Sequence, residues 1–191
     1  MSLDTRSALI EKATSLVRRQ GYSGFSYADL AEAVRIRKPS IHHHFPSKED
    51  LGVAIVAAYT ERFATLLEQA AAQHQDPVGR LNAYAAMYRL GIETREGCLC
   101  GVLAREMAIL PPRLQIGVRQ FFNLNLRWLE QVLDLGHKES QLHPLIVAHR
   151  EARTVLATLQ GAMSLALALD DPEVFEQAVA GLLDRLRVPE G

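Results

Sequence analysis

Ser26-Tyr-Ala-Asp-Leu-Ala-Glu-Ala-Val-Arg35-Ile-Arg-Lys-Pro-Ser-Ile-His-His-His-Phe45-Pro-Ser-Lys-Glu-Asp50 holds two helix starts with a short basic segment between them. Ser26 to Asp29 and Ser47 to Asp50 both read Ser-x-x-Asp. In that pattern the serine oxygen accepts from free backbone N–H groups and the acid favours the positive helix end. A leucine follows each, Leu30 and Leu51. Pro39 suits the first turn of a helix, Lys38 before it is pushed towards extended geometry, and Phe45-Pro46 stops that helix after about two turns. Leu30, Ala31, Ala33 and Val34 give the preceding helix an apolar face on which Ile36 and Ile41 close. Two short helices joined by a three or four residue turn form a helix-turn-helix.

Charge says what this unit faces. Residues 1–50 carry 8 basic and 6 acidic side chains, a net +2, whereas residues 51–191 carry 13 and 16, a net −3. From Arg35 through Lys48 there are four Lys or Arg and no acid. The positive excess is local, so a polyanion partner is expected at this end only.

From about Arg6 to Val56 the chain resembles the tetracycline-repressor (TetR) family of bacterial regulators. The resemblance is carried by Ile10, Ala13 and Leu16, Gly21-Tyr22, Phe25-Ser26, Leu30-Ala31, and Lys38 through Phe45 followed by Ser47-Lys-Glu-Asp-Leu51. It implies a ligand-responsive transcriptional repressor that binds a palindromic double-stranded DNA operator as a homodimer. Roles follow residue by residue. Arg37, Lys38, Ser40 and His43 are expected at base edges or flanking phosphates, with Pro39 against an apolar base feature such as a thymine methyl. His42 and His44 are expected on the DNA backbone, and Ser26, Tyr27 and Lys48 on phosphates. Two positions depart from the family habit. Arg35 stands where glycine is common, in a turn that tends to need positive φ. His42 stands where tyrosine is usual, which would make its phosphate contact depend on pH.

Helical patterns recur throughout and no strand pattern is convincing, so the fold class is all-α. We expect about nine helices: a three-helix DNA-binding head at 1–50 and an effector-binding and dimerisation body at 51–191. Asp76-Pro77 and Asp171-Pro172 mark helix starts. Other helices are expected at about 47–73, 103–109, 113–135 and 145–169, with a loop from Gly136 to Pro144. No signal segment opens the sequence, and the longest small-apolar stretch, Gly161 to Leu169, is shorter than a membrane span, which predicts a cytoplasmic protein without membrane attachment.

Phe175, Val179, Leu182 and Leu186 recur at helical spacing, as do Leu159, Met163 and Leu167. Paired DNA half-sites reward a twofold dimer, and the resemblance implies a four-helix bundle built from the last two helices, so these stripes are the expected dimer interface. The middle of the chain gathers Tyr84, Met87, Tyr88, Leu103, Met107, Phe121, Phe122, Asn125 and Trp128 as a candidate effector pocket, with Arg89, Glu106 and Asn123 as further polar anchors. Cys98 and Cys100, the only cysteines, suggest a second reading as a thiol or electrophile sensor. A helical protein-interaction module without DNA binding is the other alternative. Consecutive histidines on a helix point about 100° apart and cannot converge on one ion. We read no metal site, no cofactor and no catalytic constellation in the chain.

Overall fold

A computed structural model describes residues 2–144 and 147–187. Among the described residues there are nine helices: α1 (Ser2–Gly24), α2 (Tyr27–Val34), α3 (Lys38–His44), α4 (Lys48–Gln73), α5 (Pro77–Glu93), α6 (Leu99–Ala104), α7 (Pro112–Lys138), α8 (Ala148–Leu169) and α9 (Glu173–Leu186). The fold is all-α, with a single isolated bridge pairing Leu142 with Arg187.

Aspartates accept from the backbone at the starts of α5 and α9. Asp76 accepts from the Gly79 N–H at 2.7 Å ahead of Pro77, and Asp171 accepts from the Glu173 N–H at 3.0 Å. Two helices differ from the sequence expectation. Helix α6 begins after Cys98 rather than at Leu103, and residues 105–110 tighten into turns, with Arg105 bonded to the Val102 carbonyl and Glu106 to that of Leu103. Helix α7 runs through Gly136 to Lys138, and the missing side chain at Gly136 leaves room for Leu142, which lies within 2.3 Å of where a Cβ would stand. The expected start of the eighth helix at Leu145 lies outside the described residues.

Two compact units emerge, and they do not divide at residue 50. One comprises residues 1–62 with 98–121, the other residues 63–97 with 122–191. In the first, Leu9, Ala13, Val17, Phe25, Leu30, Ile41, Phe45, Leu51 and Ile55 are buried together with Leu99, Leu103 and Leu114. Helix α6 packs on α1, and Gly52 and Gly117 give room for Leu114 and Val56. A three-helix head alone would leave these apolar faces uncovered, which is why the start of α7 joins it.

In the second unit α8 packs on α9, and both meet α5. Leu159, Met163, Phe175, Val179, Leu182 and Leu186 are all buried within the one chain, and Leu167 is half-buried. The stripes expected at the dimer interface are therefore intramolecular core. Helix periodicity identifies a face to be covered but not what covers it. By length and composition α8, with a mean hydropathy of 1.3 over its most apolar window, would be able to cross a membrane; its inner face is instead packed on α9 and α5. Phe175→Ala is expected to cost about 3–5 kcal/mol of stability, measured by denaturant unfolding. A folded, parent-stable monomer from that variant would contradict the core placement.

Candidate nucleic-acid interface

Helix α3 has seven residues, too few to hold helical geometry without tertiary support. The support is local. Ser26 Oγ accepts from the N–H groups of Ala28 and Asp29 at 3.1 and 3.4 Å, while Asp29 accepts from the Ser26 N–H at 2.7 Å and the Ser26 hydroxyl at 2.8 Å. Ser47 and Asp50 repeat the arrangement at α4, with the Ser47 hydroxyl 2.7 Å from Asp50 and the Asp50 N–H 3.1 Å from Ser47. Asp50 also accepts from Arg113 at 2.9 Å. The Ser26 bonds hold the Asp29 carboxyl below its ordinary value, and those from Ser47 and Arg113 do the same for Asp50.

The turn into α3 keeps the geometry that glycine usually provides. Arg35 stands at φ 57°, ψ 44°, its N–H bonded to the Glu32 carbonyl at 3.1 Å and that of Ile36 to Ala31 at 3.0 Å. This is a Schellman pair, and an arginine at its left-handed position costs about 1 kcal/mol relative to glycine.

Side chains of the basic segment divide into two sets. Arg35, Arg37, Lys38, Pro39, His42 and His43 are exposed, Ser40 and His44 half-buried, and Ile41 fully buried beneath them. His42 sets Nδ1 3.2 Å from the Pro46 carbonyl and its ring edge-on to Tyr27, whereas His43 and His44 face one another at 5.4 Å.

Three residues expected on phosphates are engaged inside the head. The Ser26 hydroxyl serves the cap. Tyr27 donates its hydroxyl proton to the Ser47 carbonyl at 2.6 Å, shared with that of Phe45 at 3.0 Å, and burial followed by the nearby Asp50 pushes its pKa up to about 12. Lys48 donates to the Phe25 carbonyl at 2.5 Å with its ammonium over the rings of Tyr22 (4.7 Å) and Phe25 (4.5 Å), and burial lowers its pKa. Tyr22 and Phe25 were the signal for this inward turn, since aromatic faces attract a neighbouring cation.

Glu106 is a contact that sequence reasoning missed, having placed it in the effector pocket. Its carboxylate accepts from the N–H groups of Tyr22 (2.8 Å) and Ser23 (2.9 Å) and from the Ser23 hydroxyl (2.6 Å). Gly21 makes room, with φ 81° and a carboxylate oxygen only 2.2 Å from where a Cβ would stand.

The second unit brings together part of the residue set expected around an effector. Gln160 donates to the Tyr88 hydroxyl at 3.5 Å, the Tyr88 and Tyr84 hydroxyls lie 3.2 Å apart, and Tyr84 donates to Asn125 Oδ1 at 2.8 Å. Trp128 stacks on Tyr84, and Phe63 meets the same ring edge-on. Met87 and Phe122 are half-buried in this unit, while Leu103, Met107 and Phe121 belong to the other one. Arg89, expected as an anchor, is held by Glu176 through two bonds of 2.6 and 2.8 Å, and Asn123 is exposed. Cys98 and Cys100 are both buried and free, Cys98 accepting from the Tyr59 hydroxyl at 3.7 Å. Burial holds the Cys100 thiol well above its ordinary pKa, which suppresses the reactive thiolate.

Residues 9–55 match the family described as bacterial regulatory proteins, tetR family, and residues 77–182 match the tetracyclin repressor-like C-terminal domain. The chain belongs to the TetR family. It is a ligand-responsive, DNA-binding transcriptional regulator. It is similar to the repressor DhaR of a Mycobacterium species (27% identical, covering 83% of this chain and 80% of that one) and to the repressor NemR of Escherichia coli (26%, covering 97% and 96%). The regulator AcuR of Cereibacter sphaeroides is 35% identical over 54% of this chain and 49% of its own length, so the chain spans about half of that relative. A crystallised TetR-family regulator from Agrobacterium tumefaciens superposes with a TM-score of 0.95 at 33% identity, covering 98% of this chain and 100% of that one.

Lys38→Ala is expected to weaken duplex binding and flatten its salt dependence, whereas Lys48→Ala should lower thermal stability and leave the salt slope unchanged, as read by fluorescence anisotropy and melting curves. A flattened slope in Lys48→Ala would contradict its internal role. Because the Asp29 and Asp50 pKa values are depressed by folding, their stabilising contribution is full above the unfolded value near 3.8 and is lost as pH falls through the lower folded values. Asp29→Asn is therefore expected to reduce the acid-induced drop in Tm below pH 4, and an unchanged drop would contradict the capping role.

Proposed function

We propose that this chain represses transcription by setting α3 into the major groove of a palindromic operator as a homodimer, and that a small apolar or amphipathic effector releases it. The observation carrying the DNA reading is the exposed run of Arg35, Arg37, Lys38, His42 and His43 over the buried Ile41. Arg37, Lys38, Ser40 and His43 are the candidates for base edges and adjoining phosphates, Pro39 for an apolar base contact, and His42 and His44 for the DNA backbone. The head through residue 50 and the remainder from 51 then form a functional division, distinct from the compact units.

For pairing, the outward faces of α8 and α9 replace the buried stripes. Ala157, Gly161, Ser164, Leu165, Ala168, Ala180 and Gly181 are exposed, and nothing lies within 4 Å of where a Cβ would stand on either glycine. Small residues let two such faces approach closely. The effector reading rests on the aromatic interior around Tyr84, Tyr88, Asn125 and Trp128, in which the nearby Arg89 is already neutralised by Glu176.

A gel shift with the DNA upstream of the chain's own gene, at stated salt, tests the function. The expected result is a complex that resists random competitor; no preference for any duplex would favour a protein-interaction module instead. Gly161→Glu is expected to give a folded monomer in light scattering with operator affinity reduced about 100-fold or more, since each head alone binds weakly. Retention of the dimer would place the interface elsewhere.

A further inference from the structure

Two arginines occupy left-handed backbone geometry, Arg35 (φ 57°) and Arg95 (φ 54°). In Arg95 the guanidinium is occupied, bonding Asp170 at 2.6 Å. Arg35 is exposed, and its guanidinium makes no hydrogen bond or ion pair among the described residues. A second local preference is set aside two residues later. Arg37 holds the N-cap of α3, at φ −84° and ψ 145°, where serine, threonine or aspartate would accept from the first helical N–H groups, and it makes no side-chain cap bond. Between them Ile36 is half-buried, so two solvated cations flank one anchored residue at the entry to α3. Neither arginine side chain is engaged within the fold, and both local positions favour other residue types. Sparsely populated backbone states persist where function maintains them.

We propose that Arg35 and Arg37 form a paired guanidinium clamp on backbone phosphates of the strand bordering the groove that α3 enters. The proposal rests on the DNA reading above and adds Arg35 as a positioning contact. Guanidinium forks match phosphate oxygens in a bidentate manner, and contacts of this kind fix register without reading bases. The clamp therefore raises affinity for every duplex alike.

The test compares parent, Arg35→Gly, Arg35→Lys and Arg35→Gly/Arg37→Ser on the upstream duplex and on an unrelated duplex over a range of salt. In Arg35→Gly, Tm is expected to rise as the strained residue is relieved, while affinity of the dimer for both duplexes falls about 25-fold at 0.15 M salt and the log–log salt slope drops by about 1.8, about 0.9 for each protomer. Arg35→Lys should keep the parent slope, and the double variant should lose about twice the slope change. Parent-like affinity and slope in Arg35→Gly would overturn the clamp, as would loss of affinity confined to the upstream duplex, which is the mark of a base contact. A parent protein that binds neither duplex would instead overturn the DNA reading on which the clamp depends.

Discussion

A single phenolic hydroxyl closes the head. Tyr27 on α2 donates to the carbonyls of Ser47 and Phe45, where the chain leaves α3, and Lys48 beside them reaches back to the Phe25 carbonyl before α2. The loop after α3 is thereby fastened to the start of α2, and the start of α4 to the loop before α2. A seven-residue helix has little stability of its own, so its orientation depends on these ties and on Ile41 beneath it. Because tyrosine and lysine are engaged within the fold, the charge left on the surface belongs to Arg35, Arg37 and Lys38, and that set faces solvent together.

The same unit reaches into the middle of the chain. Glu106 binds the turn at Gly21 through three hydrogen bonds, and Arg113 holds the first turn of α4 through Asp50. Residues 98–121 are thus part of the unit that presents α3. Any rearrangement of α6 or of the first turns of α7 acts directly on α1 and α4.

Local chemistry was legible from sequence wherever the partner was also local. The Ser-x-x-Asp boxes, the proline at the start of α3 and the stop at Phe45-Pro46 all rest on neighbours a few positions away. Long-range partners were not legible. The stripes of Leu159, Met163, Phe175 and Val179 correctly marked buried faces, but α8 and α9 bury them against each other, leaving small residues such as Gly161 and Gly181 outward. Lys48 and Tyr27 looked like phosphate ligands because their types and positions fit, yet tertiary carbonyls and rings hold both. Glu106 gave no signal, since its partners lie more than eighty residues away in the chain.

The most direct measurement is nuclear magnetic resonance of isotope-labelled protein titrated with the duplex from upstream of its gene. Resonances of residues 35–43 should shift first and furthest, with the Tyr27 hydroxyl and Lys48 ammonium keeping their exchange protection throughout. Shifts centred on Lys48 and Tyr27 with loss of that protection, or none in 35–43, would contradict an exposed α3 held by internal ties.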